Sequence, residues 1–472
     1  MRCDVLVIGA GMSGLAAAVR LAQFGRSVVL AERHTLWGGL NSFYKLAGRR
    51  FDTGLHALTN YAPPGTRKSP LVRVLRQLGI EQGELRLGQQ GHSEIAFRCA
   101  GESVRLRFAN GPELLRTEVA RLFPSDRAGL DALIAKLPPY SAVDGLGEGV
   151  PSARASLAEH LREPLLREML FEPLAFYGGS REQDLDGRDF AVLFRSIYLE
   201  GFARPAGGIK TLLDSLVRRL RAAGGELRTG CGVRRLCVEG GAVRGALLDD
   251  RSEVECDLVL SCAGGPETLR LVDPAGRHDP ASGGRVGALS FLESISVLDR
   301  EPSALGLGAT MTFFNDSPRF EYARPREAVD VRSGVVCAPN NYASDEPMAE
   351  GLLRLTVLAD PARWKSFPEA VYRAEKEAAA DRALASAARF VPDVRPHTVF
   401  RDVFTPRTIE QFTGRIDGAV YGSPDKRRDG RTGVGGLHLI GTDQGLVGVV
   451  GALVSGVAMA DRHALLERSD AR

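Results

Sequence analysis

The clearest hydrophobic patterning lies at the two ends of the chain. Asp4-Val5-Leu6-Val7-Ile8 is an almost unbroken apolar run, as expected of a parallel strand buried on both faces. A glycine-rich turn follows. Residues 15–24 then carry apolar side chains at helical spacing and stop at Gly25, a natural C-terminal signal. Ser27-Val28-Val29-Leu30-Ala31 reads as a second strand, closed by Glu32. Near the other end, Gly436-Leu437-His438-Leu439-Ile440-Gly441-Thr442-Asp443 reads as a buried strand ending on an acid. Residues 448–456 then open a helix of small side chains that runs towards His463.

The middle of the chain adds a third piece of the same kind. Ala203-Arg204-Pro205-Ala206-Gly207-Gly208 precedes a helix through Leu220, and Gly224-Gly225 turns it into a strand at Glu226-Leu227. Cys231-Gly232-Val233 leads into strands that reverse at Gly240-Gly241, and Asp257-Leu258-Val259-Leu260-Ser261-Cys262-Ala263 is a further strand. Segments 66–199 and 291–394 lack nucleotide motifs. The first is expected to be mainly helical, broken at Pro138-Pro139 and Gly178-Gly179. The second mixes strands such as Leu353-Arg354-Leu355-Thr356-Val357 with a helix over residues 371–390, punctuated by Pro361 and Pro368.

The chain has 472 residues, more than the ~250–300 that one hydrophobic core usually reaches. Two domains are therefore expected: a discontinuous α/β domain from residues 1–65, 200–290 and 395–472, and an inserted α+β substrate domain from 66–199 and 291–394. The 61 basic and 58 acidic residues leave a formal charge of +3, which gives no reason to expect nucleic acid as a partner. It also lends no electrostatic support to a peripheral membrane contact, which stays open through an apolar helix. Arg218, Arg219 and Arg221 read as a solvated helix face.

The seven cysteines, at 3, 99, 231, 237, 256, 262 and 337, form no Cys-x-x-Cys pair. Neither a redox dithiol nor a zinc knuckle is suggested, and reduced thiols of a cytoplasmic protein are expected. Arg2, the apolar run and Ala16-Ala17-Ala18 imitate a secretion signal, but Asp4 and the embedded glycines fit a strand and turn better. No apolar run approaches a span of ~20 residues; the nearest, 445–460, is interrupted by glycines.

Between the first strand and helix stands Gly9-Ala10-Gly11-Met12-Ser13-Gly14. Gly9 permits the tight turn, Gly11 lets backbone approach a pyrophosphate, and Gly14 allows close helix–strand packing. The helix N-terminus offers free N–H groups and a positive dipole end to phosphates. Glu32 can accept both ribose hydroxyls of an adenosine. A lone Gly-x-Gly-x-x-Gly is weak, but strand, turn, helix, strand and acid occur here in order, which defines a dinucleotide site.

Glu32, five residues and Gly38-Gly39 form a Glu-x5-Gly-Gly extension that resembles the FAD-binding amine oxidase and phytoene desaturase superfamily. The Pro205-Ala206-Gly207-Gly208 segment and the closing strand and helix resemble it as well. The resemblance implies a Rossmann-like FAD-binding domain of the glutathione-reductase and amine-oxidase type, with FAD as cofactor. It implies cofactor contacts from Gly9, Ala10, Gly11, Met12, Ser13, Gly14, Glu32, Arg33, Gly38 and Gly39. Val233 would meet the adenine, Asp443 the ribityl and pyrophosphate region, and the helix N-terminus at Gly448 and Val449 the flavin pyrimidine.

Phe51-Asp52-Thr53-Gly54-Leu55-His56 narrows the resemblance to the phytoene desaturase, carotenoid isomerase and retinol saturase branch, its histidine leaning towards the saturases. Arg121-Leu122-Phe123-Pro124-Ser125-Asp126 resembles the first helix break of that group's substrate domain. Leu40-Asn41 stands where amine oxidases place an arginine near the flavin, and no cysteine lies near the closing motif for covalent attachment. No second Gly-x-Gly-x-x-Gly follows a strand, so no built-in NAD(P)H domain is expected.

The implied activity is desaturation, saturation or isomerisation of a C=C bond in an apolar polyene or isoprenoid by hydride transfer at flavin N5, with an external electron acceptor. His56 is the leading acid or base, against a role in holding its own loop. Tyr421 is a second candidate, against simple aromatic packing. His34 is expected to be a surface loop residue. Two other readings stay open: a flavin amine oxidase, and a lipid carrier similar to the Rab GDP-dissociation inhibitors, which use no FAD.

Overall fold

The computed structural model describes residues 1–54, 56–99, 101–143, 150–272 and 284–466. Five parallel strands form the first sheet, in the order Leu437–Leu439, Val259–Ser261, Val5–Ile8, Val28–Ala31, Glu226–Arg228. They come from three distant stretches of chain, as the terminal and central patterns implied. The unbroken apolar run of the first strand has a simple cause. Val5 and Val7 face the helices Met12–Gln23, Ile209–Ala222 and Gly448–Ala460. Leu6 and Ile8 face an antiparallel sheet of Val233–Glu239, Ala242–Leu248 and Glu253–Glu255.

The helix Gly448–Leu466 is long and apolar enough to cross a membrane by length and composition. It exceeds the run read from the sequence because Asp461–Leu466 continues it as a π-turn. Here it packs against Met12–Gln23 in the core. A side chain at Gly456 would stand 2.2 Å from the Ser13 carbonyl oxygen, so the two helices approach as closely as backbone allows.

The second sheet has seven strands, in the order Thr398–Phe404, Ser290–Leu298, Gly351–Ala359, Ser333–Cys337, Met311–Asn315, Ser93–Cys99, Glu102–Phe108. All pairings are antiparallel except that of Met311–Asn315 with Ser93–Cys99. One face packs on the helix Glu369–Ala387 through Leu355, Val357 and Val403. The other packs on a helical layer that includes Pro164–Gly178 and Gly187–Phe194.

Segment 66–199 therefore holds two long strands where mainly helix was expected. Their alternation, with Ile95 and Phe97, then Leu106 and Phe108, buried in the same core, is the period of a strand. The domain limits also differ at two places. Thr398–Phe404 lies beyond 395 yet forms an edge of the seven-stranded sheet. The helix Pro70–Gln77 lies beyond 65 yet buries Leu71, Val74 and Leu75 in the core of the parallel sheet.

Candidate functional site

A cavity of about 1010 Å³ runs along the carboxyl ends of the parallel strands and on over the face of the seven-stranded sheet that meets the helical layer. Of the residues singled out in the sequence, Gly9, Gly11, Met12, Ser13, Glu32, Arg33, Gly38, Gly39, Val233, Gly448, Val449, His56 and Tyr421 all line it. Ala10, Gly14 and Asp443 stand behind its wall.

The nucleotide end is shaped by backbone. A Cβ on Gly14 would stand 1.9 Å from the Gly9 carbonyl oxygen, so only glycine lets the helix start that close to the strand. Gly38, at φ +111°, donates its N–H to the Ala10 carbonyl at 2.7 Å and brings the second glycine pair beside the first turn. The Glu32 carboxylate accepts the N–H of Ala10 at 2.7 Å and that of His34 at 2.8 Å, one on each oxygen, and keeps acceptor capacity for hydroxyls. The helices Met12–Gln23 and Gly448–Ala460 both begin without a side-chain cap, so their first N–H groups are available to an anion or a ring carbonyl.

Arg33 lines the same end and donates to the Gln411 carbonyl at 2.9 Å. The Cys262 thiol donates to the Gly9 carbonyl at 3.1 Å, and burial pushes its pKa up. It is a packing group there.

Asp443 is placed differently from the expectation. Its carboxylate accepts N–H groups from Gly265 at 2.7 Å and Ser423 at 3.0 Å, and pairs with Arg415 at 3.3 Å. With its side chain 1% exposed, it is committed inside the protein and does not line the cavity. Burial alone would raise its carboxyl, but Arg415 and Lys426 outweigh that and hold it ionised. Arg415 is what reaches the cavity, between Asp443 and Glu267. One Glu267 oxygen accepts the Ile416 N–H and the other is buried without a hydrogen-bond partner. The cradle therefore gains Arg415 and Glu267, a cation and a carboxylate that the sequence motifs did not disclose.

At the other end the wall becomes apolar. Phe176, Tyr177, Phe291, Val335, Val420 and Tyr421 line it, with Phe176 stacked on Phe291 at 5.9 Å. The Tyr421 ring meets Phe291 edge-on, and its hydroxyl donates to the Phe176 carbonyl. That proton is committed and burial raises the pKa further, so Tyr421 is a wall residue and leaves the acid–base candidates.

Between the two ends stands His56; Leu55 of its segment lies outside the described residues. Its Nε2 is 3.1 Å from Thr356 Oγ1 and 3.6 Å from Glu293 Oε1. Glu293 is paired with Arg354, whose guanidinium also donates to the Thr53 carbonyl. Burial lowers the His56 pKa and Glu293 only partly restores it, so the imidazole is neutral. Burial would raise the Glu293 carboxyl, but Arg354 and His56 together hold it below its ordinary value. Asp52, of the same motif as His56, pairs with Arg204 at 2.5 Å and accepts the Ile209 N–H, which ties the His56 loop to the Pro205–Gly208 turn.

Glu293, Thr356, Arg354 and Arg415 escaped the sequence reading. A signal existed for two of them. Glu293 and Arg354 each sit inside a strand whose other positions are apolar or small and buried on both faces, and a buried charge requires a partner.

This arrangement defines a dinucleotide cleft opening on an apolar substrate chamber, the design of a flavin-dependent oxidoreductase. A sequence model of the flavin containing amine oxidoreductases matches residues 12–462, and the chain belongs to that family. The hydroxyneurosporene desaturase of Rhodobacter capsulatus is 28% identical over 99% of both chains. The all-trans-retinol 13,14-reductase of Danio rerio is 23% identical over 98% of this chain and 87% of that one. The relatives thus fall in the phytoene desaturase and retinol saturase branch. An oxidoreductase from Methanosarcina mazei shares the fold, with a TM-score of 0.68, 19% identity and coverage of 98% of this chain and 100% of that one.

Proposed function

We propose that this protein is an FAD-dependent oxidoreductase that desaturates, saturates or isomerises C=C bonds of an apolar polyene or isoprenoid. The observation that carries the reading is the continuity of the nucleotide cradle with the chamber walled by Phe176, Tyr177, Phe291, Val335 and Tyr421. A chamber of this lining holds a chain by burial alone, at about 25 cal/mol per Å² of apolar surface. Relatives named for desaturating hydroxyneurosporene and for reducing retinol support it.

The residues fit FAD in particular. The turn around Gly9, Gly11 and Gly38, with Arg415 beside it, would hold the pyrophosphate. Glu32 would hold the adenosine ribose, Gly232 and Val233 would flank the adenine, and the helix beginning at Gly448 would meet the flavin ring. When bound, the flavin supplies a hydride acceptor or donor. The protein's own part is to hold the substrate C–H bonds in place, exclude water and manage one proton. His56, whose lowered pKa favours the neutral imidazole, would take or return that proton.

An amine substrate fits poorly. Its ammonium group would find aromatic rings here, among them Phe291 and Tyr421, but, among the described residues of this end, no carboxylate free to pair with it. The carboxylates on this side of the cavity have cations or hydroxyls: Glu293 has Arg354, and Asp402 has Tyr44 Oη at 2.8 Å and Lys376. The intact dinucleotide turn likewise leaves no reason to prefer a flavin-free lipid carrier.

The test is a visible spectrum of the purified protein followed by anaerobic addition of polyenes and amines. Flavin bands that bleach or shift with a polyene and not with amines are expected. Flavin bands that bleach with a primary amine would overturn the reading, and a colourless protein would remove the cofactor assignment.

A further inference from the structure

The strand registers place Phe404, Glu293, Thr356, Val335, Phe313, Ile95 and Leu106 directly opposite one another in turn, across all seven strands. Directly paired residues put their side chains on the same face, so these form one row beneath the cavity and the helical layer. Five of them are apolar. The two polar members are neighbours, and both point at His56 Nε2, at 3.6 Å and 3.1 Å. The next row, two residues along each strand, sets Arg354 between Ile295 and Cys337. From there the Arg354 guanidinium reaches back to Glu293.

Such an insertion needs a reason. A buried ion pair is seldom worth more than the apolar residues that could replace it, and hydride exchange with a polyene asks for no ion pair. The pair is also placed to act on one group. Glu293 Oε1 meets both the imidazole Nε2 and the Arg354 guanidinium, and Arg354 is in turn held by the Thr53 carbonyl, three residues before His56.

We propose that Glu293 is a positioning residue for His56, a fixed carboxylate that orients the imidazole and balances the charge it acquires when it takes a substrate proton. This rests on the function proposed above. In desaturation a hydride would leave one carbon for the bound flavin, which is reduced, and a proton would leave the neighbouring carbon. The electron pair of the second C–H bond becomes the new π bond, and the proton goes to the imidazole, giving an imidazolium beside the Glu293 carboxylate. In saturation the same proton returns to carbon. Arg354 keeps Glu293 ionised throughout, and the Thr356 hydroxyl fixes the ring against rotation.

The charged and titratable groups facing His56 come from each element around it: Glu293 on Ser290–Leu298, Arg354 on Gly351–Ala359, Arg204 with its partner Asp52, and the Cys337 thiol, which donates to the His56 carbonyl. Among these, Glu293 is the carboxylate nearest the ring. Arg204 and Arg354 oppose protonation, so the imidazolium depends on Glu293.

The test is the titration of His56 in the flavin-loaded, substrate-free protein. It is followed by NMR of carbon-13-labelled histidine, with the resonance assigned by its loss in His56→Asn. Glu293→Gln is expected to lower the proton affinity of His56 about tenfold, the effect of removing an opposite charge at this distance. It should move the acid limb of any polyene-dependent flavin bleaching by the same amount. Should Glu293→Gln fail to fold, Glu293→Gln/Arg354→Met leaves no unbalanced charge and is compared with Arg354→Met, relative to which the midpoint must fall because Arg354 itself opposes protonation. An unchanged midpoint in a folded variant overturns the proposal. Because the titration needs no substrate, it stands even if every polyene leaves the flavin unchanged, an outcome that would count against the proposed reaction alone.

Discussion

The two ends of the cavity are built by opposite means. At the nucleotide end the functional surface is backbone: a turn at residues 9–14, a second glycine pair and two helix starts without side-chain caps. At the substrate end it is side chains brought together across strands, where Glu293 and Thr356, the latter 300 residues from His56 in sequence, each lie within 3.6 Å of its Nε2. The first kind of site forgives no added atom where backbone meets backbone, as at Gly14. The second tolerates shape changes and punishes unbalanced charge.

The largest expected effect tests the first half of that contrast. Gly14→Ala places a methyl group 1.9 Å from the Gly9 carbonyl, which forces strand and helix apart. We expect the protein to lose its flavin, read as flavin absorbance per mole of folded protein. A variant that keeps full flavin content would break the comparison at its backbone end.

Next in size is Arg354→Met, which strips a buried carboxylate of its cation. Breaking such a pair costs about 3–5 kcal/mol, visible in thermal unfolding. Adding Glu293→Gln should recover most of the loss. If the double variant is no more stable than the single one, charge balance is not what holds this end together.

Glu32→Ala comes third. It removes the acceptor for the Ala10 and His34 N–H groups along with the ribose contact. Flavin affinity should fall about 10- to 100-fold, consistent with about 1.5–3 kcal/mol for hydrogen bonds to a charged group, with little change in the His56 titration. The pH dependence of stability gives a smaller effect. His56 is held below the ordinary histidine value of 6.5 by burial, so the unfolded chain binds the proton more readily. As pH falls through the interval just below 6.5, the unfolded state gains protons that the folded state refuses, and stability declines. His56→Phe should flatten that part of the curve. Smallest is Tyr421→Phe, which removes the bond to the Phe176 carbonyl. About 1 kcal/mol of stability and little change in rate are expected, whereas a large loss of rate would restore Tyr421 as an acid.

What was legible in the sequence follows the same division. The cofactor cradle is local: strand, turn, helix and acid follow in order within residues 4–32, and their spacing states the geometry. Asp443 shows the limit of a motif. The residue stands where the pattern puts it, but Arg415 and two backbone N–H groups consume its carboxylate, and nothing nearby in sequence announces Arg415. At the substrate end only His56 has a local signature, in its motif of residues 51–56; the meaning of its partners lies in register. Glu293, Thr356 and Val335 become neighbours only when three strands align. The strands Ser93–Cys99 and Glu102–Phe108 were missed for a related reason. Helices on both sides dominated that stretch, although the alternation at Ile95, Phe97, Leu106 and Phe108 was present.

The order of the parallel sheet also sets a timetable for synthesis. Val5–Ile8 emerges from the ribosome before the other strands of its sheet, and its neighbour Val259–Ser261 and the next strand, Leu437–Leu439, are made far later. At ~5–20 residues per second, the gap is on the order of tens of seconds. During that interval the opening strand has no partner on one edge, and the cradle has no Arg415 and no helix at Gly448. Tight cofactor capture is therefore a late event, and a nascent chain stalled before residue 437 should carry an open, apolar edge for a chaperone to shield.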